Sequence, residues 1–342
     1  LKPLVSILIP AFNAQEWVAD AIRSAMAQDW PRKEIIVVDD GSTDDTFAVL
    51  RRFESRLVRV TTQENQGAAA ARNKAYSLCQ GDYIQWLDAD DLLDPAKISR
   101  QMAVVNQSRG SRFLLSGAWG IFFYRHHRAR FVPTALWCDL SPTDWLLRKM
   151  ACNLHMQPAT WLVSRELTEE AGPWDTSLLV DDDGEYFCRV LLASEGVRFV
   201  QDAKIYYRDS GPSGLSHIGR SDGKREAQLR SMRLHISYLR SLEDSPRVRA
   251  ACLQYLQTWL VYFHPERPDL VRQANEMARE LGGTLELPRS SWKYSCLQSL
   301  LGAPLALNVQ HFLPRLRYSV LKSCDKVLSR LDPRVVANQA EM

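Results

Sequence analysis

Asp88, Asp90 and Asp91 follow the apolar run Tyr83-Ile84-Gln85-Trp86-Leu87 with only Ala89 among them. A short apolar run that ends this abruptly reads as a buried strand. Carboxylates are costly to bury without partners, so the acids belong where the strand leaves its sheet. Asp88-x-Asp90 can direct oxygens to one point, and hard cations such as Mg²⁺ or Mn²⁺ take oxygen ligands. Mg²⁺ typically uses one or two carboxylates and completes its shell with substrate phosphate. The pair points to a metal–diphosphate site. The plainer alternative is a solvated acidic loop, with Asp94-Pro95 starting the next helix. A second acidic cluster, Asp181, Asp182, Asp183 and Glu185, reads as a helix N-terminus, where the helix dipole favours one or two acids. Four within five positions cost repulsion. Repulsion with partial burial raises a carboxyl pKa, as a general base requires.

The elements that position these acids emerge from periodicity. Val5 to Pro10 is a β-branched run closed by proline, and Ala11-Phe12-Asn13 is its loop. Glu16 to Gln28 places Val18, Ile22, Ala25 and Met26 at helical spacing. Glu34 to Val38 is a second strand ending in Asp39-Asp40-Gly41-Ser42, with a helix after it through Thr46, Val49, Leu50 and Phe53. Leu57 to Thr62 is a third strand, Asn65-Gln66-Gly67 a turn, and Ala68 to Leu78 an alanine-rich helix. Alternating strands and helices imply a parallel sheet with right-handed crossovers, and ligands bind such sheets beyond the carboxyl ends of the strands. The loops at Pro10–Asn13, Asp39–Ser42 and Asp88–Asp91 all lie at such ends. The first loop has no Gly-x-Gly-x-x-Gly, and no P-loop sequence is present, which disfavours hydride transfer and P-loop phosphate chemistry. Asp39 suits a hydrogen bond from a base N–H; alternatively, Asp39 to Ser42 is only an Asx-type turn capping the next helix.

The chain has 342 residues, 46% hydrophobic and 24% charged, enough for a packed core. Residues 1–220 carry 25 Lys and Arg against 28 Asp and Glu, whereas residues 221–342 carry 18 against 12. The acidic part suits a metal, the basic part an anionic surface. Seven scattered cysteines without a Cys-x-x-Cys pair fit a reducing compartment rather than a zinc or disulfide framework. Neither a signal peptide nor a run of membrane-spanning length is read.

Four ordered stretches resemble the family 2 glycosyltransferases, inverting enzymes of the GT-A fold. They are Val5 to Asn13, Ile36 to Asp44, Asn65-Gln66-Gly67 with Ala71-Arg72-Asn73, and Gly81-Asp82-Tyr83-Ile84 running into Leu87 to Asp91. The resemblance covers roughly residues 3–215 and is strongest up to Pro95. It implies a nucleoside pocket lined by Pro10, Phe12 and Asn13, with Asp39 on the base, most often uracil. It implies nucleotide contacts from Gly67, Arg72, Asp88 and Ala89, and a divalent metal, Mn²⁺ or Mg²⁺, on Asp90. A metal at the diphosphate stabilises leaving-group charge as a Lewis acid. Aligned on Arg189, the family's acidic pair falls on Asp182-Asp183, with Glu185 as the later acid; Asp183 is the favoured catalytic base and Asp182 the runner-up. Asp at 182 and Gly at 184 depart from the commoner pattern, which leaves the register open by one residue. Arg189 reads as a structural partner of these acids.

His155 and Gln157 are weaker acceptor-side candidates, and Ser213 and Ser216 lie in a glycine-rich segment that reads as a lid or a linker. Residues 113–123 read as a strand pair, Arg125-His126-His127-Arg128 as a solvated hairpin tip, and Phe199–Gln201 and Ile205–Arg208 as separate late strands. Helices are expected at Lys224–Leu242, Pro246–Phe263 and Pro268–Leu281, with Trp259, Tyr262 and Phe263 as core contacts. Phe312 to Leu331 is a basic amphipathic segment, either a packed helix with a solvated basic face or one lying on an anionic membrane. No nucleic-acid reading motif accompanies the charge.

These expectations amount to a mostly parallel α/β catalytic unit, residues 1–220, with a nucleotide-sugar half (about 1–110) and an acceptor half (about 111–220), then a helical basic extension, 221–342. The expected activity is hexosyl transfer from a UDP-sugar to a hydroxyl of a glycan, glycolipid or lipid-linked saccharide in the cytoplasm, with peripheral contact at the inner face of a membrane if the basic tail lies on lipid. The rivals are a metal-dependent nucleotidyltransferase, which would usually show a glycine-rich basic loop after the first strand, and an inactive nucleotide-binding scaffold.

Overall fold

The computed structural model describes residues 2–107, 112–210, 218, 221–287 and 318–332. The chain opens as β1 (Val5–Ala11), α1 (Val18–Met26), β2 (Lys33–Asp39), α2 (Thr46–Arg51), β3 (Val58–Thr62), α3 (Ala68–Leu78) and β4 (Tyr83–Trp86). It continues as β5 (Leu92–Leu93), α4 (Lys97–Gln107), β6 (Phe113–Phe122), β7 (Arg130–Phe131), α5 (Pro142–Cys152), β8 (Val163–Ser164), α6 (Arg165–Ala171), α7 (Asp182–Ala193) and β9 (Gly196–Arg208). The extension is α8 (Asp222–Leu242), α9 (Pro246–Trp259) and α10 (Pro268–Glu280), and residues 318–331 form a further helix.

One sheet has the order β3-β2-β1-β4-β8, parallel except for β8. Successive side chains of a strand face opposite sides, and here both sides are covered. Leu8, Ile36, Val38, Ile84 and Trp86 pack on one side; Ile7, Ile9, Ile35 and Val37 pack on the other, against α1 and α4. Burial on both faces explains why these strands read as continuous apolar runs. The register pairs Ala11 with Asp39 and Leu8 with Trp86, so the three strand-end loops leave along one edge. The core on the α3 side continues through Trp145, Met150, Tyr186 and Cys188 into Met232, Ile236, Tyr255 and Phe263. The extension therefore shares an apolar core with the acid-bearing α7.

A second sheet has the order β5-β9-β6-β7. It corrects two sequence expectations. Residues 113–122 are one strand rather than a pair, and 196–208 are one strand rather than two. β6 and β9 run parallel along most of their length, with an irregularity between Gly117 and Trp119. A Cβ at Gly117 would collide with the Ala203 carbonyl, so that close approach needs glycine.

The hairpin tip at 125–128 is only partly solvated, a further correction: Arg128 is exposed, but Arg125 and His127 are engaged. Arg125 donates through Nε to Asp325 (2.8 Å), and His127 lies 3.0 Å from Asp332. Asp325 lies on the C-terminal helix and Asp332 directly after it, and through these acids the helix docks on residues 125–127. The packed-helix reading of that segment places its basic face in solvent. In the structure Tyr318 bonds Asp209 (2.5 Å), Lys322 reaches the Ser210 carbonyl (2.5 Å), and the apolar row faces outward. Residues 312–317 of that expectation lie outside the described residues. Phe263 is buried and Trp259 donates to Asn153 (3.0 Å), but Tyr262 is largely exposed, contrary to its assignment to the core.

Candidate active site

The donor-side loops are tied mainly by short-range geometry. Pro10 is buried within β1, and Phe12 stands exposed at the lip. Asn13 adopts a left-handed backbone (φ 47°), accepts from Thr43 N (2.8 Å) and donates from its own N–H to Ser42 Oγ (2.9 Å). That pair of bonds fastens the first loop to the second. Asp39 is 3% exposed; Thr62 donates to Oδ2 (3.1 Å), and buried Oδ1 has no partner among the described residues. A buried oxygen left unpaired carries a desolvation cost that a ligand N–H would relieve. Asp40 instead accepts from Gln63 Nε2 (2.7 Å), Gln66 N (3.0 Å) and Gly67 N (2.8 Å), fixing the turn that enters α3. Gly67 has φ 90°, a conformation that costs glycine least. The N-cap of α2 is Asp45, and the N–H of the helix's first residue, Thr46, is taken by Asp44 (2.9 Å), so the helix-cap reading of Asp39 to Ser42 is corrected.

At the end of β4, Asp88 accepts from Arg72 Nη2 (2.8 Å), and Ala89 is buried. Burial and then Asp88 push the Asp90 carboxyl up to about 6, while Ser210 and Arg208 draw it partway back. Asp91 is fully buried, accepts from Arg208 N (2.8 Å) through Oδ1, and leaves Oδ2 unpaired among the described residues. Arg208 also donates to the Asp90 carbonyl (2.8 Å), with its guanidinium 4.3 Å from the Trp17 ring centroid. Sequence reasoning missed Arg208 as a site residue; its only signal is a charge that closes the apolar run Ile205-Tyr206-Tyr207. No group of three or more His, Cys, Asp or Glu able to hold a metal occurs among the described residues. The carboxylates of Asp88 and Asp90 nonetheless fit a hard cation that takes its other ligands from a diphosphate and water. A cation would relieve the repulsion that raises Asp90.

Arg72 joins this edge to the second acidic cluster. It is buried on α3 and donates from Nη1 to Asp182 Oδ2 (2.8 Å) as well as to Asp88, with its guanidinium 4.4 Å from the Trp174 ring centroid. Asp183 is half-buried and its side chain has no hydrogen-bond partner among the described residues. Burial, then Asp182 and Asp181, push its carboxyl up to about 7, against the opposing pull of Arg72. Asp182 is raised by burial, with Arg72 opposing. Glu185 is engaged elsewhere, accepting from Arg189 Nε (2.7 Å) and Tyr238 OH (2.7 Å), which bears out Arg189 as a structural partner. Gly184 cannot carry a Cβ because Asp181 Oδ1 occupies its space.

The remaining candidates divide. His155 is exposed, its ring 5.4 Å from that of Trp119. Gln157 is buried, and its carbonyl accepts from Thr160 N (2.9 Å). No described hydrogen bond links either to Asp88, Asp90 or Asp183. Ser213 and Ser216 lie outside the described residues. A groove of about 350 Å³ between α8 and α10, lined by Arg230, Arg233, Arg267 and neighbours, includes none of these candidates.

Residues 6–131 match the family described as Glycosyl transferase family 2. The chain belongs to the family 2 glycosyltransferases. Among curated members of the family, it is 40% identical over 100 residues to the Escherichia coli UDP-Glc:alpha-D-GlcNAc-diphosphoundecaprenol beta-1,3-glucosyltransferase WfaP, covering 29% of this chain and 40% of WfaP. The chain spans 60% or less of the length of the curated relatives it matches first. Its fold matches S. aureus TarS 1–349 in complex with UDP-GlcNAc, with a TM-score of 0.55 at 18% identity over 82% of this chain and 92% of that one. It also matches the mannosyltransferase PcManGT of Pyrobaculum calidifontis in complex with GDP-Man and Mn2+, with a TM-score of 0.51 at 18% identity over 94% and 85%. The fold of this family 2 glycosyltransferase is accordingly of the GT-A type, a parallel-rich sheet flanked by helices with a helical C-terminal region.

Proposed function

We propose that this chain is a metal-dependent, inverting hexosyltransferase that moves a sugar from a UDP-sugar to a hydroxyl of a glycan or lipid-linked saccharide. The observation that carries the reading is the Arg72 bridge. It draws the acid at the end of β4 (Asp88) and the acid beside the base (Asp182) onto one guanidinium, at 2.8 Å each. Donor binding and proton abstraction then fall side by side. Asp39 Oδ1 takes the base N–H, with Pro10, Phe12 and Asn13 around the nucleoside and Gly67, Asp88 and Ala89 beside the sugar-phosphate. Asp90 holds Mn²⁺ or Mg²⁺, which when bound stabilises negative charge on the diphosphate. Asp183 accepts the proton of the acceptor hydroxyl as its oxygen bonds to the anomeric carbon. The bond from that carbon to the diphosphate oxygen breaks, its electron pair leaves with UDP, and the proton passes from Asp183 to solvent. Attack by the acceptor oxygen on the face opposite the departing diphosphate would invert the configuration at that carbon. An unpaired, half-open carboxylate titrating near neutrality supports Asp183 over the arginine-bound Asp182.

WfaP is named for transfer to a diphosphoundecaprenol-linked sugar, and a lipid-linked acceptor is proposed here too. Among the described residues no helix is long and apolar enough to cross a membrane. The helix at 318–331 exposes Val320, Leu321, Val327, Leu328 and Leu331 at helical spacing, and residues 289–334 carry eight Lys and Arg against two Asp. That pattern suits peripheral contact with the anionic inner face of a membrane, and so a cytoplasmic site of action.

A screen of nucleotide sugars tests the reading, scoring Mn²⁺-dependent UDP release and chelator sensitivity. UDP-sugars should turn over and Asp90→Ala should abolish the metal dependence. Metal-independent turnover, or equal UDP affinity in the variant by calorimetry, would defeat the metal assignment. Leu328→Ser with Leu331→Ser should cut flotation with phosphatidylglycerol vesicles; unchanged flotation would leave the apolar row without a lipid role.

A further inference from the structure

The acidic loop before α7 is held mainly by helices outside the segment that matches the family, above all by α8. Asp181 is the fixed point. It takes a left-handed backbone (φ 56°), which costs a residue with a Cβ, directly before the first turn of α7. Its Oδ2 accepts from Ser231 Oγ of α8 (2.6 Å), and His235 Nδ1 lies 3.8 Å away. His235 is fully buried and is itself held by Tyr255 OH of α9 (3.2 Å). The other oxygen of Asp181 lies over Gly184, where a Cβ would strike it. One turn along, Tyr238 of α8 donates to Glu185 Oε1 (2.7 Å), and upstream Arg230 of α8 pairs with Asp175 (3.3 Å).

Three successive turns of α8 thus grip the loop before α7, its N-cap and its first turn, with Asp182 and Asp183 lying inside the grip. From the other side α3 holds the loop, Arg72 through Asp182 (2.8 Å) and Asn73 through the Trp174 backbone (2.9 and 3.0 Å). Asp183 makes no side-chain hydrogen bond of its own among the described residues, so its direction is set by the backbone that these contacts fix.

We propose that α8 is the positioning element of the catalytic base, with Ser231 and Tyr238 as positioning residues that hold Asp183 in line with the acceptor through Asp181 and Glu185. This rests on the assignment of Asp183 as base in the reading above. The charge pattern fits. Lys149 of α5, His235 and the Ser231 hydroxyl hold the Asp181 carboxyl below its ordinary value against burial, while burial pushes His235 down to about 4. An ionised Asp181 makes two strong acceptor oxygens available, one to α8 and one against Gly184. A positioned base is worth more than a present one, since misplacement by about 1 Å can cost on the order of 100-fold in rate.

The test uses the full chain with Ser231→Ala, Ser231→Thr, Tyr238→Phe and the double variant Ser231→Ala/Tyr238→Phe. Turnover of the UDP-sugar selected by the screen is measured beside UDP–Mn²⁺ affinity by calorimetry. The double variant should lose roughly 10- to 100-fold in kcat with unchanged UDP affinity, and Ser231→Thr, which keeps the hydroxyl, should restore most of the loss seen in Ser231→Ala. A double variant with wild-type kcat would overturn the proposal. A parallel fall in kcat and UDP affinity, without rescue by threonine, would show general loosening of the core and overturn it equally. Asp183→Asn separates the two layers. If Asp183→Asn is inactive while the α8 variants turn over normally, the base stands and the grip fails; if Asp183→Asn turns over normally, both fall.

Discussion

In the proposed reaction the donor edge and the acid loop take complementary halves, yet they are built differently. At the donor edge the polar bonds join neighbouring strand ends: Asn13 to the second loop, Asp40 to the turn before α3, Asp39 to Thr62 on the adjacent strand. Each is a bond between loops that a parallel sheet already brings together. At the acid loop the partners come from α3 and α8, elements that lie on either side of it in sequence and meet only in the folded core. The donor edge is therefore a property of a motif and the acid loop a property of the assembly. The first can be shared with relatives that match only the N-terminal segment, whereas the second depends on helices C-terminal to the loop.

Removing the base carboxyl should separate the two regions most sharply. Asp183→Asn should lower turnover by about 10²–10⁴-fold while leaving UDP binding intact, because its contacts lie outside the donor edge. Steady-state kinetics beside calorimetry checks this. The same variant should melt higher than wild type above neutral pH. A carboxyl whose folded pKa is raised to about 7 stabilises the fold only while protonated, and that stability is lost as pH rises from the ordinary carboxyl range through 7. Thermal melts at pH 5 and pH 8 should show the gain at the higher pH.

Next in size is the bridge. Arg72→Met leaves Asp88 and Asp182 facing each other and removes the cation that holds Asp183 down, so turnover should fall and the acidic limb of the pH–rate profile should move to higher pH. An unmoved limb would show that the two halves do not communicate through this guanidinium. The smallest effect is local. Asp39→Asn replaces an acceptor for the base N–H and should weaken UDP roughly tenfold, the scale of one charge-assisted hydrogen bond, with kcat at saturating donor nearly unchanged. A fall in kcat instead would mean that the donor edge and the acid loop are less separable than their construction suggests.

Much of the donor half was legible because its signals are short-range. Strands buried on both faces print apolar runs, and carboxylates that terminate such runs must sit at strand ends. Even there, Asp40 reads locally as part of a helix cap, because nothing nearby in sequence shows that its three donors come from the turn before α3. The long strands β6 and β9 each read as two pieces, because the irregularity at Gly117 and the exposed residues Gln201 and Asp202 interrupt the alternation that would mark one strand. Asp182 and Asp183 stand out in the sequence, but their division of labour does not. Their types are identical, and only the side on which Arg72 arrives distinguishes them.

The order of strands and helices, the shared edge of three loops and the residue types gathered there follow from local sequence, because periodicity and the cost of burying charge act over a few residues. Only the packed fold brings Arg72 to Asp182 across 110 positions, lets α8 hold Asp181 and Glu185, and docks the C-terminal helix through Asp325 and Lys322 while its leucines face outward. Those outcomes depend on which surfaces remain after the sheets have packed. Side-chain partners separated by a hundred residues are chosen by competition for buried hydrogen bonds across the whole core, and no local pattern records the result.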